Sequence, residues 1–453
     1  MNKDIEKTLV DFRVAAGRYA RTERYYDGNH DLAFATEKFR NAFGTLFREF
    51  ALNLCPVICD AVRDKLRVTG FSPENGNAGE QSAATRRIWQ MNRMAKRAGE
   101  IHKEALKNGD AYAIVWPNAR GEAVIYPNKA ANVSVVYDDD TPGRIALAAK
   151  YWRTADKRIR LNLFYPDRIQ KYISRNETEG TLPDAGGFQP FGDAGNVGRR
   201  DAGTSSDVRG SIPASQRLAL SASDSVIPNP YGVVPVFHFA NNSDIGMPGR
   251  SELDSALPVQ DGLNKSVLDM LVAMEFSAYR QRWAAGIEYE IDSNGKIVAP
   301  FQSGLDQLWI TENANARFGD FEDAHLEQFL KVKDSFRVDI ASVTGTPLHY
   351  LMQNTDGFPS GESLRKSETR FVAKVRDRQD SFGQVWADLM AFALMVEGQG
   401  RNIRLLTEWE DPSPMSEREM LENILLKKQI GLSTELALIE AGYGEADVKR
   451  MVG

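Results

Sequence analysis

The chain has 453 residues, 42% of them hydrophobic and 26% charged, and carries a net charge of −6. That length exceeds what one compact core supports, so two or more structural units are expected in an otherwise ordinary globular composition. The mild acidity argues against a freely binding DNA protein, whose affinity comes from a basic surplus on phosphate; nucleic acid handled here is held weakly or simply let pass.

The N-terminus, Met1-Asn-Lys-Asp-Ile-Glu-Lys-Thr8, is too charged for a signal peptide. No apolar run approaches the roughly 20 residues needed to cross a bilayer, so no membrane partner is expected and the protein reads as soluble and cytoplasmic at synthesis. Residues 1–109 read as helices. Leu46, Phe47, Phe50, Leu54, Val57, Ile58, Val62 and Leu66 recur at helical spacing, with Gly70 as the stop, and helix returns over 86–107. The two cysteines, Cys55 and Cys59, share one helical face. With five scattered histidines and no second cysteine pair they read as small buried side chains, reduced, and not as a zinc site.

After Asn108-Gly109 the period changes to that of short strands, at 111–116, 123–126, 133–137, 145–152 and 158–164, separated by turn clusters. One of those clusters, Asp138-Asp-Asp140, reads as a polar turn in preference to a metal site. Residues 176–225, rich in Gly, Ser, Ala and Asp, bury too little apolar surface to offset their ordering entropy and are expected to form a mobile surface loop. A short strand follows at 229–239, entered through a proline turn. A helix over 257–283 carries Leu263, Val267, Leu271, Met274 and Ala278 on one stripe. Residues 284–322 read as a small strand-rich tip, and a returning helix over 324–343 stops at Gly345-Thr-Pro347. A Gly/Asn/Pro-rich loop at 348–360 precedes the longest helix, 362–397, whose apolar seam runs Phe371, Val375, Phe382, Val385, Leu389, Phe392 and Val396, interrupted only by Arg378. Residues 403–410 read as one more strand, and 416–453 as a small helical subdomain.

No catalytic constellation emerges. There is no glycine-rich phosphate loop ending in Lys-Ser or Lys-Thr, no Gly-x-Ser-x-Gly elbow and no His-Glu-x-x-His pair. No catalytic residue, cofactor or metal ligand is therefore assigned, and an enzyme is not expected. His349 and Tyr350 either face a ligand or fold their loop back onto a helix; Trp309 and Phe321 either anchor a partner or fill the tip; Lys331 and Lys333 either touch phosphate or are solvated.

The order of certain segments resembles the portal proteins of siphovirus-type tailed double-stranded DNA phages. The matching stretches are Tyr25-Tyr-Asp-Gly-Asn-His30, Asn53-Leu-Cys-Pro-Val-Ile-Cys-Asp-Ala61 with Leu66–Phe71 close behind, Asn229-Pro-Tyr-Gly-Val-Val-Pro-Val-Phe-His-Phe239, Gly249-Arg-Ser-Glu-Leu-Asp254, Gln260-Asp-Gly-Leu-Asn-Lys265, Thr344-Gly-Thr-Pro347 and Gly361-Glu-Ser-Leu364. The resemblance implies an α+β, mainly helical portal fold: a wing over 1–250 with an insert at about 176–225, stem helices at 251–283 and 324–344, a clip at 284–323, a tunnel loop at 345–360, a long wing helix and strand at 361–411, and a crown at 412–453. It implies a homo-oligomeric, dodecameric ring at one capsid vertex that passes viral double-stranded DNA during packaging and ejection. Its implied partners are the terminase large subunit, the major capsid and scaffolding proteins, and a head-completion or adaptor protein; its implied location is the virion, with host cytoplasm during assembly. On this reading His349, Tyr350, Gln353 and Asn354 face the channel from the tunnel loop, Lys331 and Lys333 from the stem, and Trp309 and Phe321 dock the motor or adaptor at the clip. Twelve helices, each ~10 Å across, would ring a bore of roughly 28 Å, enough for a duplex to slide. The alternatives are another phage structural protein, a metal-dependent enzyme acting on phage DNA, or a free DNA-binding protein.

Overall fold

The computed structural model describes residues 3–31, 52–74, 78–192, 225–244, 247–278, 326–352, 361–401, 403–413, 417–441 and 445–452, with 34, 37, 41, 282–286, 290–291, 293, 297–298 and 313–320. The chain divides into two compact units. One comprises Met1–Asn29, Asn53–Leu257 and Ile340–Gly453; the other comprises His30–Leu52 and Pro258–Asp339.

In the first unit, α1 (Lys3–Tyr26) buries Ile5, Leu9, Phe12 and Tyr19, a spacing of four, three and seven that makes one stripe. Helix α2 (Cys55–Asp64) opens with Pro56 in its first turn, where no N–H is needed. It ends at Asp64, well before Gly70, which lies inside strand β1 (Val68–Pro73). Cys55 and Cys59 form no disulfide, and both are fully buried. The helix expected over 86–107 is two helices, α3 (Ala78–Met91) and α4 (Met94–Asn108), broken where Arg93 takes a left-handed φ of 55°.

Strands β2 (Asp110–Pro117) and β3 (Ala123–Lys129) pair antiparallel and are joined by β10 (Val236–Ala240) on the other edge of β2. A second, antiparallel sheet runs β4 (Val133–Tyr137), β5 (Ile145–Arg153), β6 (Ile159–Phe164), β7 (Arg168–Ser174), β8 (Phe188–Pro190), and β9 (Val226–Pro228) also pairs with β7. One face of this sheet, with Leu147, Leu161, Leu163 and Phe188, packs on Ile5, Leu9 and Phe12 of α1. The other face, with Ala148, Phe164 and Ile169, packs on Tyr112, Ile114 and Val236 of the first sheet. Strand β8 corrects the expectation for 176–225. Phe188, a lone aromatic in a glycine-rich stretch, is 5% exposed and seats residues 188–190 on the sheet; residues 193–224 lie outside the described residues.

The second unit contains most of α5 (Leu257–Ala278) and of α6 (Leu326–Thr344). Gly262 sits where a Cβ would come 2.8 Å from Phe336, so its lack of a side chain lets the two helices approach. Among the described residues, the buried positions of α5 are Leu257, Gln260, Asp261, Leu263, Asn264 and Leu268, all N-terminal to Asp269, whereas Met274 of the expected stripe is 47% exposed. Helix α5 ends at Ala278, and the continuation read as helix is strand: β11 (Arg282–Ala285) pairs with β14 (Arg317–Asp320), and β12 (Glu290–Ile291) with β13 (Ile297–Val298).

Back in the first unit, α6 stops at Gly345, whose φ of 67° is cheap only for glycine. A single helical turn, α7 (Leu348–Leu351), precedes the 36-residue α8 (Gly361–Val396). Helix α8 buries Phe371, Val375, Arg378, Phe382, Trp386, Leu389 and Ala393. Its aromatic residues meet those of the first sheet and of the helices beneath: Trp386 lies 4.8 Å from Phe239 and 5.1 Å from Trp89, ring centre to ring centre. Strand β15 (Leu405–Trp409) then pairs antiparallel with β1. Three short helices close the chain, α9 (Glu417–Gln429), α10 (Thr434–Glu440) and α11 (Glu445–Val452).

Candidate functional site

The first unit releases the chain after Leu257 and takes it back at Ile340, and a buried ionic cluster joins both points to α8. Glu252, 9% exposed, receives Lys374 Nζ at 2.5 Å on Oε2 and the Arg378 guanidinium at 2.9 and 3.1 Å on Oε1. Asn241 Nδ2 donates to the same Oε1 at 3.1 Å. Lys374 also donates to the backbone carbonyl of Thr344 at 2.8 Å, the last residue of α6. Burial alone would push the Glu252 carboxyl up; Lys374 and Arg378 hold it below its ordinary value. Arg378 is therefore the expected interruption of the apolar seam, but it is itself buried, because its charge is met by Glu252.

The Gly249-Arg-Ser-Glu-Leu-Asp254 stretch is seated by backbone packing so close that it excludes side chains. A Cβ on Gly249 would lie 1.9 Å from the carbonyl oxygen of Gly109. Asn241 N–H donates to that same carbonyl at 2.7 Å, and Glu252 N–H donates to Leu106 O at 2.9 Å.

Beside it, the fully buried carboxylate of Asp110 collects four donors from three segments. Arg18 Nη2 lies at 2.6 Å, Tyr19 Oη at 2.7 Å, His238 Nε2 at 2.8 Å and Gly249 N at 2.8 Å. Tyr137 Oη lies 2.7 Å from His238 Nδ1, completing a Tyr–His–Asp chain at the wall of a cavity of about 1100 Å³. Burial would raise the Asp110 carboxyl, yet His238, Tyr19 and the Gly249 N–H keep it below its ordinary value. Every acceptor site on it is occupied, so the chain of groups serves to tie α1 to β2, β10 and the 249 turn.

His349 and Tyr350 are brought together on α7, and both turn to Glu368 of α8. Tyr350 Oη donates to Glu368 Oε1 at 3.0 Å and His349 Nε2 lies 3.3 Å from it, while Lys65 Nζ stands 3.5 Å from Oε2. Burial and Glu368 push the Tyr350 hydroxyl up to about 12. Both side chains thus hold α7 against α8. Gln353, Asn354, Trp309 and Phe321 lie outside the described residues.

Lys331 and Lys333 are two residues apart on α6, which places them roughly 200° apart around the helix axis. Lys331 is exposed and lies 3.4 Å from Glu327, while Lys333 is half-buried, so the two do not form one patch. Asp138 folds its own turn, accepting from Asp140 N–H at 3.1 Å. Among the described residues no group of three or more His, Cys, Asp or Glu side chains is placed to hold a metal, and no helix is long and apolar enough to cross a membrane.

The buried clusters were missed from sequence because their partners are far apart in the chain. One signal did point to them: a charge such as Arg378 inside an apolar seam requires a buried counter-charge.

A model of the family described as phage portal protein, SPP1 Gp6-like, matches residues 12–442. The portal protein of Mycobacterium phage L5 is 27% identical over 238 residues, 50% of this chain and 49% of that protein. That of Mycobacterium phage D29 is 29% identical over 196 residues, 41% of this chain and 40% of that protein. The aligned stretch thus spans about half the length of these relatives at most. Among solved structures, a chain from the neck of an empty gene transfer agent particle, computed with C6 symmetry, gives a TM-score of 0.47 at 12% identity, covering 91% of this chain and 95% of that one. A chain from the neck of the native particle, computed with C12 symmetry, gives 0.45 at 12% identity, covering 89% and 93%.

Proposed function

Because the chain belongs to the phage portal protein family of the SPP1 Gp6-like type, we propose that it is the ring-forming, non-enzymatic gate through which viral double-stranded DNA enters and leaves the capsid. The observation that carries the reading is the family match, which runs through nearly the whole chain, from residue 12 to residue 442. The geometry agrees with a passive conduit. The charged clusters of the first unit are internally satisfied and hold elements together, and the net charge of −6 offers a sliding duplex little to stick to.

On this reading the ring is dodecameric and stands at one capsid vertex. The first unit supplies wing and crown, α5 and α6 supply the stem, and the residues between them supply the clip that meets the terminase large subunit and later the head-completion or adaptor protein. The major capsid and scaffolding proteins surround the wing. The Glu252–Lys374–Arg378 cluster anchors the chain where it leaves for the stem, and Lys374 caps the carbonyl where it returns. Glu368 anchors the start of the tunnel loop through Tyr350 and His349.

Mass photometry and negative-stain microscopy of the purified protein test the proposal. Closed rings near the mass of twelve 50.5 kDa chains, with a central hole, are expected. Metal-dependent nicking of duplex DNA by protein that stays monomeric, with and without scaffolding protein, would overturn it.

A further inference from the structure

The second sheet carries a cleft that none of the roles above uses. The register pairs Lys150 of β5 with Asn162 of β6, and Asn162 with Lys171 of β7. The three side chains therefore stand in a row on one face, the two lysines about 10 Å apart across the middle strand. Trp116, Tyr126 and Trp152 wall this row, and Ile169 and Ile227 floor it, enclosing about 280 Å³. The Lys150 ammonium lies 5.4 Å from the centre of the Trp152 ring and forms no ion pair among the described residues. Burial pushes it below its ordinary value, so the chain alone bears a desolvation cost that an incoming anion would offset.

We infer that this cleft is a docking site for a segment of another protein that presents a carboxylate beside a large aromatic or apolar side chain. The carboxylate sits over Asn162 beside the Lys150 ammonium, and the apolar side chain slots between the tryptophans. Charge complementarity and size choose this occupant. The volume falls below the ~300 Å³ at which small-molecule pockets begin, so it takes one large side chain with its adjoining carboxylate and not a free nucleotide. Two lysines are also too few for nucleic acid, which is held by many phosphate contacts. The inference goes beyond the portal reading and does not depend on ring formation.

Ligand-observed saturation-transfer NMR on the full-length protein tests it, with N-acetyl-tryptophan as the probe and N-acetyl-tryptophanamide, which lacks the carboxylate, as the control. The acid is expected to bind at least about tenfold more tightly than the amide, a difference of ~1.4 kcal/mol. Lys150→Gln and Trp152→Leu should each abolish that preference while leaving circular-dichroism melting unchanged. Should either variant fold poorly, Asn162→Ala gives a second reading of the same row. Equal binding of acid and amide overturns the proposal, as does a preference for the acid that survives Lys150→Gln. A thymidine monophosphate signal stronger than that of the acid, and equally sensitive to Lys150→Gln, would overturn it in favour of nucleic acid. Folded Lys150→Gln protein that no longer forms rings would overturn it in favour of a neighbouring copy of this chain.

Discussion

Replacing Glu252 by Gln keeps the shape of the side chain and removes one charge. It would leave the Lys374 ammonium and the Arg378 guanidinium side by side, 16% and 6% exposed, with their shared counter-ion gone. Losing one partner of a buried ion pair costs roughly 3–5 kcal/mol, because the remaining charge is stranded without solvent. Lys374 then keeps the Thr344 carbonyl and Arg378 the largely exposed Asp377, but the two cations repel each other, so a loss within that range is expected. A typical domain has only ~5–15 kcal/mol to lose. The first transition in chemical denaturation should therefore move sharply to lower denaturant, and backbone amides at 251–256 and 340–344 should exchange faster. Replacing all three together, Glu252→Leu, Lys374→Met and Arg378→Met, should recover most of the loss, since no charge is then buried alone. A loss below about 1 kcal/mol for Glu252→Gln, or a triple variant no better than the single one, would refute the account of this cluster as a paired buried charge. The pH dependence has a definite sign. Glu252 has a lowered folded value, so its contribution is complete above the ordinary carboxylate range and is lost as pH falls through the folded value.

His102 should add a second acid-sensitive step. It is fully buried, accepts the Trp386 indole N–H at 2.9 Å and stacks on Phe382, and burial pushes its imidazole from 6.5 down to about 3. The unfolded chain takes the proton first, so stability is lost from pH 6.5 downward, by about 2 kcal/mol at pH 5 at ~1.36 kcal/mol per pH unit. Subtracting the stability–pH curve of His102→Gln should reveal that slope, and parallel curves would contradict it. Phe382→Asp should abolish folding, because the ring is fully buried between Phe239 and His102; soluble rings of this variant would disprove the packing. Deleting Met352–Pro359 should leave ring assembly intact and impair DNA packaging, and Glu368→Ala should reproduce part of that defect by freeing Tyr350 and His349. Failure of the deletion to assemble would make the loop structural.

Glu252 and His102 also mark where local reading stops. Helical spacing located α8 to within a residue at each end, and alternation located β2 to β6, because side-chain period is a property of adjacent residues. Strand β1 was invisible because its stabilising partner is β15, more than 300 residues later, and because Gly70 reads locally as a stop. There the glycine serves cross-strand space: a Cβ would lie 2.7 Å from the Glu408 carboxylate. Strand β8 was hidden by composition, since one buried Phe188 suffices to seat a glycine-rich segment on a sheet that is already formed.

The sequence by itself determined the mixed helical and strand character, the long helix, the paired helices around a strand-rich excursion, and the family, since each is carried by local period or by the order of short segments. Only the tertiary structure decided which charges are buried together. Nothing in the chain announces that Glu252 meets Arg378, that Asp110 gathers Arg18, Tyr19 and His238, or that Tyr350 turns to Glu368. The physical reason is that a buried charge is stable only beside its partner, and which partner arrives is set by how the elements pack, not by their own sequence.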